Sequence, residues 1–322
     1  MVRGFSSVLV VLLSLQFSQN GFAFQLGQLN FDQTSCFPTT NLKNFELQGF
    51  TGSTGIDEQA FNGVLDRVAE AYEPIFAQQG LQLTIIRLWD NSTVNAGALP
   101  NPENPSERLI AMFGGMARHE KMTADGFALV ACHEIGHHLG GAPKKEDFRF
   151  LWASGEGQSD YFATLKCARK VFGKDNNVAL MKDKQLPPLA LQKCRQNFSN
   201  AEEVALCTRS AVASQVMGDV GMALLKEQIR VQRPDFDLNS IPAPLHETPD
   251  RRAVASTSHD HPLPQCRLDT YFQGALCKAN HNTELSNVEA ESGACSARQG
   301  DVDGLRPLCW YKPSVDVNIT QN

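Results

Sequence analysis

The stretch ADGFALVACHEIGHHL, residues 124–139, constrains this chain more than any other. At 100° per residue, Phe127, Leu129, Val130, Ala131, Cys132, Ile135 and Leu139 cover most directions of a helix, so that helix must be buried on nearly every side. Thr123 is placed as its N-cap, Asp125 lies in the first turn, and Gly140-Gly141 followed by Pro143 stop it. A domain must therefore be built around it. Yet this helix carries three of the chain's eight histidines and a glutamate.

Buried imidazoles and a buried carboxylate without partners cost on the order of several kcal/mol. His133 and His137 point the same way one turn apart, with Glu134 beside them, and a shared divalent ion removes that cost. The pattern His133-Glu134-x-x-His137 is the zinc-peptidase signature, in which two neutral imidazoles hold a single Zn2+ and the carboxylate acts as general base. His138 points about 100° away from His137, and is expected to pair with Glu134 or to face the surface.

A catalytic zinc site takes three protein ligands and leaves one position open. A peptidase pattern with a third histidine six residues after His137 is excluded, because that position is Pro143. The next predicted helix, residues 155–172, places Glu156 and Asp160 one turn apart, and Ala163 and Cys167 continue the same stripe, which implies an inward face. Glu156 is therefore the predicted third ligand. Asp160 is predicted to accept the other ring N–H of a zinc histidine.

Elsewhere, helical periodicity covers residues 56–79, with Phe61, Val64, Leu65, Val68 and Ala69 on one side. Short strands are predicted at 81–89, 92–99 and 108–113, and a helix over 201–231 with a break near Gly218 and Gly221. Residues 233–265 are Pro-rich and irregular. The expected fold class is α+β, a small sheet packed against the buried helix and further helices.

With 322 residues, 42% hydrophobic and 20% charged, the chain can bury a sizeable core. A net charge of -6 without Lys/Arg blocks argues against nucleic acid as a partner. Residues 1–23 read as a secretory signal peptide, with Arg3, an apolar stretch over 8–17, and Gly21-Phe22-Ala23 at the cleavage site. No stable membrane insertion is expected after cleavage, and the destination is periplasmic or extracellular. Nine cysteines then predict disulfides, with Cys266–Cys277 and Cys295–Cys309 as expected pairs and Cys132 as the buried free thiol left by the odd count. The expected organisation is a signal peptide (1–23), an N-terminal extension (24–55), a catalytic domain (56–232), a Pro-rich connection and helix completing the site (233–277), and a disulfide-rich tail (278–322).

His133-Glu134-x-x-His137 followed by Glu156-x-x-x-Asp160 resembles the gluzincin pattern. TVNAGALP (93–100), RLIAMFGGM (108–116) and HPLPQCR (261–267) are similar, in order, to motifs of the CAAX-prenyl-protease-related, HtpX-like endopeptidases. That family's Pro-Gly-Gly after the Asn-Ala strand is replaced here by PNPENPSERL, and the tail matches nothing in its pattern. The resemblance implies a zincin-like fold and a secreted or periplasmic zinc-dependent endopeptidase acting on protein or peptide substrates. It implies that Asn95 and Ala96 offer backbone partners to an extended substrate. It further implies that His261 donates to the oxyanion while Arg267 anchors the catalytic acids, with His259 as the internal competitor of His261. The alternative is a metal-stabilised, non-catalytic binding or chaperone-like module. Oligomeric state is not legible in the sequence.

Overall fold

A computed structural model describes residues 34–38 and 55–314 of the chain. The predicted signal peptide and most of the N-terminal extension lie outside the described residues. The first helix, α1 (Glu58–Gln78), begins where the Asp57 carboxylate accepts the Ala60 N–H at 2.8 Å, which satisfies one of the backbone donors that every helix start leaves open. Its buried residues Phe61, Val64, Leu65, Val68, Tyr72 and Phe76 recur every three or four positions and face the sheet and the central helix.

The sheet holds β1 (Gln82–Leu88), β2 (Ala96–Pro100) and β3 (Glu107–Phe113) in the order β1-β3-β2. β1 runs parallel to β3, and β2 runs antiparallel to β3 with Ala96 opposite Met112. β2 is thus at the edge, and an antiparallel bridge from Ser35 to Gly97 lies beyond it. This second strand begins four residues later than the predicted 92, because Asn91 Oδ1 accepts the Thr93 N–H at 2.9 Å and turns the chain before pairing starts.

A short helix, α2 (Gly114–Arg118), leads to the central helix α3 (Ala124–Leu139), capped as expected by Thr123 Oγ1 accepting from the Gly126 N–H at 3.1 Å. From Gly126 to His137 every residue of α3 is buried. The next helix starts as α4 (Glu156–Phe162), widens into a π turn (Ala163–Cys167) and ends as α5 (Ala168–Phe172). Then come α6 (Asn177–Met181), α7 (Pro188–Asn197), the long α8 (Ala201–Gln232) and α9 (Pro264–Leu276). α8 does not break at its glycines. Gly218 instead makes room for Pro244 and Leu268, and Gly221 for Phe37 and Pro264, so these residues serve close packing rather than a bend.

The disulfides differ from expectation. They are Cys132–Cys167, Cys194–Cys207, Cys266–Cys309 and Cys277–Cys295, and the free cysteine is the buried Cys36, not Cys132. Cys266 cannot reach Cys277 because α9 runs between them, and eleven residues of helix span about 16 Å. Cys132 is bonded because α3 packs on the π turn, which brings the two Cα atoms to 5.5 Å. Cys266–Cys309 and Cys277–Cys295 bind the tail to the start and end of α9. Trp310 lies against Gly157, Arg306 Nε donates to Gln158 Oε1 at 2.7 Å, and Lys166 Nζ donates to the carbonyls of Asn280 and Gly293 at 2.7 Å each. Among the described residues no helix is long and apolar enough to cross a membrane.

Candidate metal centre

Two helices make the centre, and one glycine sets their distance. A Cβ on Gly136 of α3 would lie 2.9 Å from the Cα of Ser159 in α4, so only glycine allows the backbones this close. The approach brings Glu156 and Asp160 of α4 against His133 and His137 of α3. All four, together with Glu134, are fully buried.

Each histidine is oriented through its Nδ1. His133 Nδ1–H donates to Asp160 Oδ1 at 2.7 Å, and His137 Nδ1–H donates to the Ser154 carbonyl at 2.9 Å. An acceptor on Nδ1 leaves the Nε2 lone pair for a ligand. The two Nε2 atoms converge on Glu156, His133 Nε2 at 3.2 Å from Oε2 and His137 Nε2 at 3.6 Å from Oε1. A tetrahedral Zn2+ with bonds near 2.05 Å holds its ligand atoms about 3.3 Å apart, so the spacing fits that ion. His133, His137 and Glu156 can each offer a ligand atom, all within 4.8 Å of one another.

Buried atoms without partners point the same way. His137 Nε2 and both carboxylate oxygens of Glu134 are buried and make no hydrogen bond. Such atoms cost free energy unless something binds them. Burial pushes Glu134 up to about 8, against the pull of His133, whereas Asp160 overcomes the burial of His133 and carries it to about 9. Burial alone would raise Asp160 and Glu156; Arg267 with His133 lowers the first, and His261, His137 and Lys145 hold the second well down.

The supporting residues arrive from distant parts of the chain. Arg267 of α9 grips Asp160 with two bonds, Nε to Oδ2 at 2.9 Å and Nη2 to Oδ1 at 2.6 Å, so it anchors the acid that orients His133. His261 Nε2 lies 3.4 Å from Glu156 Oε2 and donates to the Ser35 carbonyl at 2.7 Å. The His259 ring packs against Gly155 and lies 3.4 Å from the exposed Glu146, while its carbonyl accepts the Glu156 N–H at 3.3 Å. His138 does not pair with Glu134: it is only partly buried, its Nε2 is 3.1 Å from the Leu109 carbonyl and its ring stacks on Trp152.

Asn95 and Ala96 lie at the sheet edge, already engaged. Asn95 Oδ1 accepts the Phe37 N–H and its Nδ2 donates to the Phe37 carbonyl, both at 3.0 Å, while the Ala96 carbonyl accepts the Cys36 N–H at 3.1 Å. Cys36 Sγ, a ring nitrogen of His133 and a carboxylate oxygen of Glu134 lie within 4.8 Å of one another. Sequence reasoning missed Ser154, Lys145 and residues 34–37. Lys145 Nζ donates to Glu156 Oε1 at 2.7 Å, and no spacing in the chain announces that pair. The odd cysteine count did signal a free thiol, but the apolar helix pointed to Cys132 instead of Cys36.

Comparison with protein-family models, with curated proteins and with solved structures finds no match.

Proposed function

We propose that this protein is a zinc-dependent endopeptidase of gluzincin type, exported to a periplasmic or extracellular space and built on a zincin-like fold. One observation carries the reading. The Nδ1 atoms of His133 and His137 are both held by acceptors while their Nε2 atoms converge with Glu156, and an unpartnered Glu134 lies beside them on the same helix. Four disulfides suit an oxidising compartment.

His133, His137 and Glu156 would hold one Zn2+, with Asp160 and Ser154 keeping both rings in the tautomer that binds metal. The ion, when bound, supplies Lewis acidity that activates water and polarises a carbonyl. Glu134 takes the proton of the attacking water and returns it to the leaving amide nitrogen as the C–N bond breaks, so water is consumed and two peptide ends result. His261 donates its Nε2–H to the carbonyl oxygen as negative charge develops there. Arg267 holds Asp160, and Asn95, just before β2, and Ala96, its first residue, offer backbone partners to an extended peptide.

The test is metal analysis of the purified protein with a casein-type cleavage assay, with and without chelator. Stoichiometric zinc and chelator-sensitive cleavage are expected. Zinc with no cleavage of any unfolded protein would leave the non-catalytic binding module.

A further inference from the structure

Residues 34–37 are bound in the way that the proposed substrate would be. The Cys36 N–H donates to the Ala96 carbonyl at 3.1 Å, the Ala98 N–H donates to the Thr34 carbonyl at 3.0 Å, and Ser35 bridges Gly97 in antiparallel sense. An extended segment has been added to the open edge of β2, a common mode of peptide recognition. Its next residue is clasped at both backbone groups by Asn95, and its Phe37 ring lies 4.6 Å from the Arg267 guanidinium. The Ala96 carbonyl and the Asn95 side chain are therefore occupied by the chain itself.

The contacts at the centre continue the mimicry. The Ser35 carbonyl accepts the proton of His261, the bond expected for the carbonyl under attack. The Cys36 carbonyl accepts from Arg267. Cys36 Sγ lies beside the unpartnered Glu134 carboxylate and His133, and the whole residue is fully buried. A sulfur there fills volume that an attacking water would need next to its base. The segment thus satisfies the strand edge and His261 and sets Cys36 beside Glu134.

We infer that residues 34–37 are a built-in substrate mimic that holds the site latent, with Cys36 as the plug beside Glu134, and that activity appears when this segment leaves the β2 edge. The inference rests on the peptidase reading of the site. A tethered occupant lowers the apparent affinity for any competing peptide by the fraction of molecules in which the edge is free. Occupancy in nine of ten molecules would mask activity about tenfold.

The experiment compares the full chain with its Cys36→Pro variant, which removes both the N–H that bonds Ala96 and the thiol. A labelled peptide of residues 32–40, DQTSCFPTT, is titrated against each by fluorescence anisotropy, and casein cleavage is measured in parallel. The variant should bind the peptide and cleave casein at least about tenfold faster than the parent, with unchanged zinc content, while the parent excludes the peptide. Equal peptide binding by both forms, or none by the folded variant, overturns the inference. If the peptide binds only the variant but neither form cleaves, the occupancy stands and the peptidase reading falls. Should the variant misfold, alkylation of the free Cys36 in the native chain replaces it, since the adduct is too large for a fully buried slot. Complete alkylation that leaves the peptide excluded would equally overturn the inference.

Discussion

At the scale of single residues, the side chains of the centre divide into those that would hold an ion and those that would move protons, and substitutions separate the two. Glu134 touches neither imidazole Nε2 through a hydrogen bond, so Glu134→Gln should retain zinc and the fold while abolishing hydrolysis. His133→Ala should lose the metal instead. Elemental analysis beside a cleavage assay checks both, and full activity in the Gln variant would reject Glu134 as base. His261 and His259 differ in the same readable way. His261→Ala should lower kcat about 100- to 1,000-fold with zinc unchanged, because one donor to developing charge is removed. His259→Ala should do little, since its ring faces Gly155 and Glu146. The reverse order would transfer the role to His259. Both measurements belong on the form in which the β2 edge is free.

Among the secondary-structure elements, the contact between α3 and α4 decides whether a centre exists at all. A methyl on Gly136 must displace Ser159 backbone, not a yielding side-chain tip. Gly136→Ala should cost about 1–3 kcal/mol by overpacking and weaken zinc retention by moving Glu156 away from the histidines. Gly63 on the outer face of α1 is the control, as nothing lies within 4 Å of its added Cβ. Gly63→Ala should stabilise by up to about 1 kcal/mol through helix propensity alone and leave zinc binding as it was. Thermal melts with metal titration report both. Equal behaviour of the two variants would mean that α3–α4 contact does not position the site.

On the scale of the whole molecule, the tail acts as a brace on α4 and the π turn. Trp310, Arg306 and Lys166 tie it to α4 and the π turn, and two disulfides join it to α9. The Cys277–Cys295 bridge closes a separation of 18 residues, for which chain entropy predicts a contribution of about 3 kcal/mol. Cys277→Ser with Cys295→Ser should lower stability on that scale in denaturant melts. Because the tail covers Gly157, one turn from Asp160, zinc should be released over the same transition that unfolds the tail. Zinc retained after the tail has melted would show the brace to be independent of the centre.

Periodicity and short-range spacing made much of this legible before any coordinates. A helix apolar on all sides with polar groups one turn apart must bury those groups together, so His133, Glu134 and His137 followed from local geometry. Glu156 and Asp160 followed from the inward stripe of the next helix. Caps at Thr123 and the Gly140-Gly141 stop were local chemistry, read within a few residues. What depended on the tertiary fold was the exact pairing across a long separation: which cysteines bond, that Lys145 reaches Glu156, that Asp160 is the acid Arg267 grips, and that Cys36 lies beside Glu134. Such pairs leave no periodic trace, since the backbone dihedrals that carry the helix signal are set by neighbours along the chain. Only the packing of separate elements, governed by contact between surfaces and by the satisfaction of buried polar atoms, chooses among the partners a sequence permits.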